Sequence, residues 1–305
     1  MKLSEENRFI VNCPLLKPQL TEDGSCTFFS ETFGQLFHSH HGAKLEAQSK
    51  FVQPTQLVER AKKPRLRLLD ICYGLGYNSA AALSAIWQAN PNCQVELIGL
   101  ECDRSVPQAA IESGLLSQWP EEVEQLLAQL ASSGSLRSDR LHAQLLIGDA
   151  RQTIQQVRDA DFQADAIFLD PFSPPTCPQL WTVEFLAQVA TCADQSAYLA
   201  TYSCSAIVRS ALLEAGWYLG STSPVGRRTP GTVASLQPLE LPPLSTREWE
   251  HLETRAAVPY RDPTLTDRGD RILQRRQIEQ QTSSLEPTTQ WKKRWRGRGG
   301  RGDGV

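Results

Sequence analysis

Seven short apolar runs punctuate the middle of the chain, at residues 66–70, 94–100, 143–147, 164–169, 196–203, 217–221 and 231–236. Each has the length and composition of a buried strand. Residues 78–87, 105–116, 178–193 and 205–215 have helix-forming composition between them, and Gly216 stops the last of these. Residues 121–131 read as an inserted helix. This alternation predicts an open, doubly wound α/β sheet of seven strands, mostly parallel. Ahead of it, the aromatic segments at 27–30 and 33–37 read as hairpin-like strands, followed by a short helix carrying Glu46 and Phe51. After Leu236, three prolines (Pro238, Pro242, Pro243) mark a linker, and residues 267–281 read as a charged helix. The predicted organisation is a small β extension over 1–60, the α/β domain over 61–237, a linker and helical extension over 238–285, and a tail over 286–305.

Acidic residues close four of the predicted strands: Asp70, Glu101, Asp149 and Asp170. Open α/β sheets bind ligands at these carboxyl ends, whereas acids serving only as helix caps would be scattered. The first strand leads into Asp70-x-x-x-Gly74-x-Gly76, with Asn78 opening the helix and Ser79 where a dinucleotide fold wants a third glycine. A cofactor without phosphates fits this turn better than NAD, its main rival. S-adenosylmethionine would lay its amino acid end over Gly74 and Gly76. Glu101 is placed for the ribose hydroxyls, Asp149 for the adenine amine and the Ala150 N–H for a ring nitrogen. Asp170, Pro171 and Phe172 then form a turn that resembles the Asp/Asn-Pro-Pro-aromatic turn of amino-methyltransferases. There a side-chain oxygen and a proline carbonyl hold an amine while the aromatic ring stacks on the base. Asp and Pro are also ordinary turn residues.

Methyl transfer from a sulfonium needs an aligned, neutral nucleophile more than an acid. An alkyl amine with a reference pKa near 10.4 lies roughly 4–5 kcal/mol uphill in its neutral form at pH 7. A carboxylate alone would favour the ammonium, so Asp170 assists only by receiving or relaying the proton as well as orienting the nitrogen.

Composition narrows the setting. The 305 residues carry a net charge of −3 and are 40% hydrophobic, so any nucleic-acid contact must be local rather than global. No apolar run approaches the roughly 18 residues of a membrane span, and no secretory pattern follows the charged start. A cytoplasmic, monomeric enzyme is expected. Eight cysteines form no C-x-x-C pair, which favours small buried hydrophobes over a metal site. His38, His40 and His41 lack an acidic or cysteine partner at ligand spacing, and a solvated or substrate-facing loop fits them better than a metal cluster. The tail interleaves Arg and Lys with Trp291, Trp295 and glycines. Disorder is expected there, with phosphate contact and base stacking, or simple solubility, as its role.

Phe168-Leu169-Asp170-Pro171-Phe172-Ser173-Pro174, followed by Pro178-Gln179-Leu180-Trp181-Thr182, resembles the signature of the MnmC-type tRNA methyltransferases. Ala200-Thr201-Tyr202-Ser203, the segment 208–217 and Val225-Gly226-Arg227-Arg228 extend the likeness. Ser30-Glu31-Thr32-Phe33-Gly34 and His40-His41-Gly42-Ala43 are similar to the branch without an oxidase domain. The resemblance spans about residues 20–270 and leaves out the basic tail. It implies a Rossmann-like class I fold dependent on S-adenosylmethionine, with tRNA as partner. The implied reaction methylates the aminomethyl group on carbon 5 of the wobble uridine, commonly with sulfur at position 2. With no room for an oxidase, the chain would take only an aminomethyl-uridine made upstream. Asp170 would be catalytic, and Gly74, Gly76, Asn78, Glu101 and Asp149 would hold the cofactor. Phe172 and Ser173 would meet the substrate, and Arg227 and Arg228 the tRNA phosphates. Aminopropyl transfer to polyamines, and RNA binding by the tail on an inactive fold, remain the alternatives.

Overall fold

The structure, a computed structural model, describes residues 16–224 and 229–298. Two antiparallel hairpins come first, β1 (Gln19–Leu20) with β2 (Cys26–Thr27) and β3 (Phe29–Ser30) with β4 (Gln35–Leu36). A continuous helical path follows, from α1 (Ala43–Glu46) through a π-helical segment (Ala47–Val52), before α2 (Leu57–Arg60). The α/β domain then runs β5 (Arg65–Ile71), α3 (Tyr77–Ala89), β6 (Gln94–Glu101), α4 (Ser105–Glu112), α5 (Glu121–Ser133), β7 (Ser135–Arg137) and β8 (Leu141–Ile147). It continues through α6 (Ala150–Asp159), β9 (Ala164–Leu169), α7 (Val183–Thr191), β10 (Ala193–Thr201), α8 (Ala206–Glu214), β11 (Tyr218–Ser221) and β12 (Thr232–Ser235). Helices α9 (Thr246–Leu252), α10 (Gly269–Thr282) and α11 (Thr288–Arg298) follow.

The sheet order is β11-β12-β10-β9-β5-β6-β8-β7. The five strands from β8 to β10 are parallel, while β12 and β7 run antiparallel to their neighbours. Burial on both faces explains the adjacent Leu68 and Leu69 of β5, which with Leu66 and Ile71 are fully buried although Arg67 and Asp70 interrupt the apolar run. Ala80 to Ala82, Leu83 and Ile86 of α3 fill one core with Phe28 and Phe51 from the N-terminal extension. Helices α6, α7 and α8 fill the other, closed by Tyr260 and Ile272 from the C-terminal extension. The doubly wound, class I reading is borne out, with eight strands rather than seven. The extra one, β7, has only Leu136 buried, too short a pattern to read from sequence.

The chain leaves β5 towards β6 and β8, then returns to place β9 on the other side of β5. This switch opens a crevice at the carboxyl ends of β5 and β9, where ligands of such sheets bind. The tail departs from expectation: residues 288–298 form a docked helix instead of a disordered segment, and residues 299–305 lie outside the described ones. Trp291 supplies the reason, since it is buried and stacks on His251 at 4.4 Å and 13°. Arg294 pairs with Glu250 and Glu286, and the Trp295 indole N–H donates to Glu250 at 2.8 Å. Tertiary docking stabilises a helix that its own composition would not.

Buried Arg209 ties this extension to the sheet. It donates to Thr232 Oγ1 (3.0 Å), Ser221 Oγ (3.2 Å) and the Gly231 carbonyl (3.2 Å), and pairs with Glu248 at 2.8 Å. Burial pushes the Glu248 carboxyl up, but hydrogen bonds from Ser221, Ser245 and Arg209 outweigh it and bring it down to about 2. Glu248 is therefore ionised when folded at pH values where the unfolded chain, near 4.5, is protonated. Its contribution is full above pH 4.5 and is lost as pH falls towards 2. Urea unfolding of Glu248→Gln at pH 3 and pH 7 should show a destabilisation at pH 7 that shrinks at pH 3.

Candidate active site

At the end of β5, Asp70 is fully buried; its Oδ2 accepts from Ser79 Oγ at 2.7 Å, and its Oδ1 has no partner. Burial raises this carboxyl to about 7, with the Glu101 charge adding to the rise and the Ser79 bond opposing it. The turn that follows is held in left-handed backbone conformations at Cys72 (φ 67°), Gly74 (φ 55°) and Gly76 (φ 82°). Gly76 is required twice over, because a Cβ there would also lie 2.9 Å from Tyr73 Oη. The N–H groups of Cys72 and Tyr73 both reach the Leu100 carbonyl at 3.0 Å, binding the turn to β6. Buried Glu101 accepts from the Gly74 N–H (2.8 Å), the Asp103 N–H (3.0 Å) and the Cys102 thiol (3.3 Å). Its carboxylate thus braces the glycine turn, and further donors must use its remaining lone pairs.

The Asn78 amide, on the first turn of α3, donates to Asp170 Oδ2 at 2.8 Å, and its buried Oδ1 has no partner. Asp70 Oδ1 and Asn78 Oδ1 are therefore two buried acceptors without donors, flanking a turn whose glycines let a ligand approach the backbone. That donor-poor set fits the ammonium end of S-adenosylmethionine. Asp149 has a different partner set from that expected. It caps α6, accepting the Arg151 N–H at 2.9 Å, and its two oxygens take the Arg151 guanidinium at 2.6–3.1 Å. Arg151 in turn reaches buried Asp262 (2.8 Å) and the Asp267 carbonyl (2.9 Å) of the C-terminal extension. The neighbouring Ala150 N–H is the first of α6 and has no acceptor within the helix.

Beyond β9, the Asp170 N–H is held by the Ile71 carbonyl at 3.1 Å. The next two carbonyls are engaged as well: Pro171 accepts from Tyr202 Oη (3.0 Å) and Phe172 from Trp181 Nε1 (2.9 Å). The Phe172 ring stacks on Phe33 at 4.4 Å and 22°, with Phe37 edge-on at 5.1 Å. Gln35 donates through Nε2 to Ser173 Oγ (2.7 Å) and Thr176 Oγ1 (2.9 Å), and accepts the Ser173 N–H at 3.3 Å. Ser173, expected to meet substrate, is thereby tied to the N-terminal hairpin. A Cβ at Gly74 would touch the Phe37 ring at 3.5 Å, so the same hairpin also lies against the glycine turn.

The crevice therefore brings together Asp70, Gly74, Gly76, Asn78, Glu101, Asp170 and Phe172, with Asp149 and Ala150 at the adjacent strand end. Arg227 and Arg228 lie outside the described residues. Lys50, buried in the π-helical segment, donates to the carbonyls of Ser223 (3.2 Å) and Thr229 (3.4 Å) on either side of them. Sequence reasoning missed Gln35, Phe33, Phe37, Lys50 and Arg151 as neighbours of the crevice. The aromatic pair was visible as strand composition, with Phe33 also in a resemblance segment but without a role, and the polar three had no local signal. His38 is buried against Tyr77; burial lowers its pKa to about 4, opposed by Glu46 and Asp23, while His41 pairs with Glu22.

A family model described as S-adenosyl-L-methionine-dependent methyltransferase matches residues 107–237. Among solved structures, MnmC2 from Aquifex aeolicus is similar at 35% identity and a TM-score of 0.78, over 88% of this chain and 86% of that one. An uncharacterized protein of Methanocaldococcus jannaschii is 29% identical over 266 residues, 84% of this chain and 70% of that protein. The tRNA 5-methylaminomethyl-2-thiouridine biosynthesis bifunctional protein MnmC of Aromatoleum aromaticum is 32% identical over 208 residues, 65% of this chain. The match spans only 32% of that bifunctional relative's own length.

Two substitutions probe this geometry. Because the buried Asp70 carboxyl is raised, its ionisation costs stability as pH climbs from 3.8 through about 7. Asp70→Asn should raise the melting temperature of the free protein at pH 8 while weakening S-adenosylmethionine binding about 10-fold, the cost of one charged hydrogen bond. Calorimetry on both proteins checks the two halves separately. Gln35→Ala should leave that affinity within a factor of two yet slow methyl transfer about 10- to 100-fold by letting the acceptor turn shift, measured under single turnover.

Proposed function

The chain belongs to the family of S-adenosyl-L-methionine-dependent methyltransferases that includes MnmC2 and the methyltransferase part of MnmC, and we propose that it methylates the aminomethyl nitrogen on carbon 5 of the tRNA wobble uridine. The observation that carries this reading is the 2.8 Å contact from Asn78 to Asp170, which joins the cofactor helix to the acceptor turn. The side chains around that turn support a planar base bearing one amine over a flexible polyamine: Phe33, Gln35, Phe37, Thr176, Trp181 and Tyr202 carry no charge, and the Phe33 and Phe37 rings pack on Phe172.

When bound, S-adenosylmethionine supplies an electrophilic methyl group on a sulfonium. Asp70 and Asn78, with their open acceptors, would hold its ammonium, and the glycine turn at Gly74 and Gly76 would receive its amino acid end. Glu101 would take the ribose hydroxyls with the lone pairs its three protein donors leave. The Ala150 N–H would serve the adenine ring, and Asp149 its exocyclic amine while still holding Arg151. Phe172, backed by Phe33, offers one ring face to the uracil. Asp170 orients the amine and receives or relays its proton. The Asn78 donor fixes one Asp170 oxygen, so the carboxylate cannot swing away as the proton arrives.

Because the neutral amine is the reactive form, transfer should speed up about 10-fold per pH unit from pH 6.5 to 8.5. Asp170→Ala should lower it about 100-fold or more with cofactor affinity near wild type. The deciding measurement is nucleoside analysis of tRNA that carries the wobble 5-aminomethyl group but lacks its methyl, after incubation with the protein and labelled cofactor. Label in 5-methylaminomethyl-uridine, with or without 2-thiolation, supports the proposal; label elsewhere, or none, overturns it.

A further inference from the structure

The C-terminal extension packs two helices into a small basic ledge beside the carboxyl edge of the sheet. Thr201 at the end of β10 pairs with Thr232, and Thr232 with Ser221, so the end of β11 and the start of β12 lie at the same edge as Asp170. Arg209 bonds both of these strand ends and pairs with Glu248, which fixes the first turn of α9 there. Helix α11 lies on α9: Trp291 stacks on His251, and the Arg247 guanidinium sits 5.7 Å from the Trp291 ring and 5.9 Å from the Trp295 ring. Both indoles are thus anchors rather than free stacking platforms.

What α11 leaves in solvent is charge. Lys292, Lys293 and Arg296 are exposed, as is Arg247 on α9. Glu250 and Glu286, the acids that α11 meets through ion pairs, are engaged by Arg294. A ledge of four exposed cations on a protein of net charge −3 is a local departure from the whole. Cations carried on a docked helix match a polyanion that must also insert one nucleotide into the crevice.

We propose that Arg247, Lys292, Lys293 and Arg296 form a docking surface for the phosphate backbone of the RNA whose nucleotide occupies the crevice, an inference that rests on the tRNA reading above. The contacts are electrostatic and carry no sequence information, so they set affinity and register rather than choice of base.

The test compares the full chain with its Lys292→Gln/Lys293→Gln/Arg296→Gln variant, using tRNA that carries 5-aminomethyluridine at the wobble position and the free 5-aminomethyluridine nucleoside as substrates. The variant should raise KM for tRNA about 10-fold near physiological salt, and lower the slope of log KM against log salt by about 2. Its kcat and its turnover of the nucleoside should match wild type. Trp291→Ala, which undocks the helix with every charge retained, should raise KM for tRNA likewise. Wild-type turnover of tRNA with an unchanged KM and salt slope in the triple variant overturns the docking surface alone. Wild-type failure to methylate tRNA overturns the reading on which it rests.

Discussion

A single amide-to-carboxylate contact, Asn78 to Asp170 at 2.8 Å, spans the crevice between β5 and β9. One partner opens the helix above the glycine turn, and the other ends the strand across the topological switch. Parallel pairing of Ile71 with Leu169 fixes the two strand ends side by side, so the contact follows from sheet register rather than from a flexible loop. Everything on the cofactor side is referenced to α3, and everything on the acceptor side to the turn after β9. A displacement of either element is felt by both halves at once.

Both flanks of the chain lean on this centre. From the N-terminal side, Gln35, Phe33 and Phe37 hold the acceptor turn, and Phe37 also lies against the glycine turn. From the C-terminal side, Asp262 holds Arg151, which holds Asp149 at the third strand end. The central sheet places the acids, and the flanks set the walls around them. This division explains why buried charges outside the crevice, Lys50 and Arg209, are spent on carbonyls and hydroxyls that shape the carboxyl edge.

Sequence alone resolved the parts that depend on local order. Strand–turn–helix succession located Asp70, Gly74, Gly76 and Asn78, and strand ends located Glu101, Asp149 and Asp170. It did not resolve what depends on packing between distant segments. Nothing adjacent to Gln35 announces Ser173, and nothing near Asp149 announces that Arg151 and Asp262 would claim its oxygens. The tail misled for a related reason. Its composition is that of a solvated, charged segment, and the burial of Trp291 against His251, with the Arg294 and Trp295 contacts to Glu250, gives it a helix. The eighth strand escaped because three residues with one buried leucine carry no period to detect.

The separations across these contacts set an order of assembly. Gln35 meets a partner 138 residues away, Lys50 one 173 residues away, and Arg151 one 111 residues away. Closing loops of that length is slow compared with forming the local β5–α3–β6 unit. A chain emerging from the ribosome therefore builds the glycine turn early, while its acceptor wall waits for residues beyond 173 and its edge strap for residues beyond 229. Until then the crevice has its glycine turn but lacks the walls that distant segments supply.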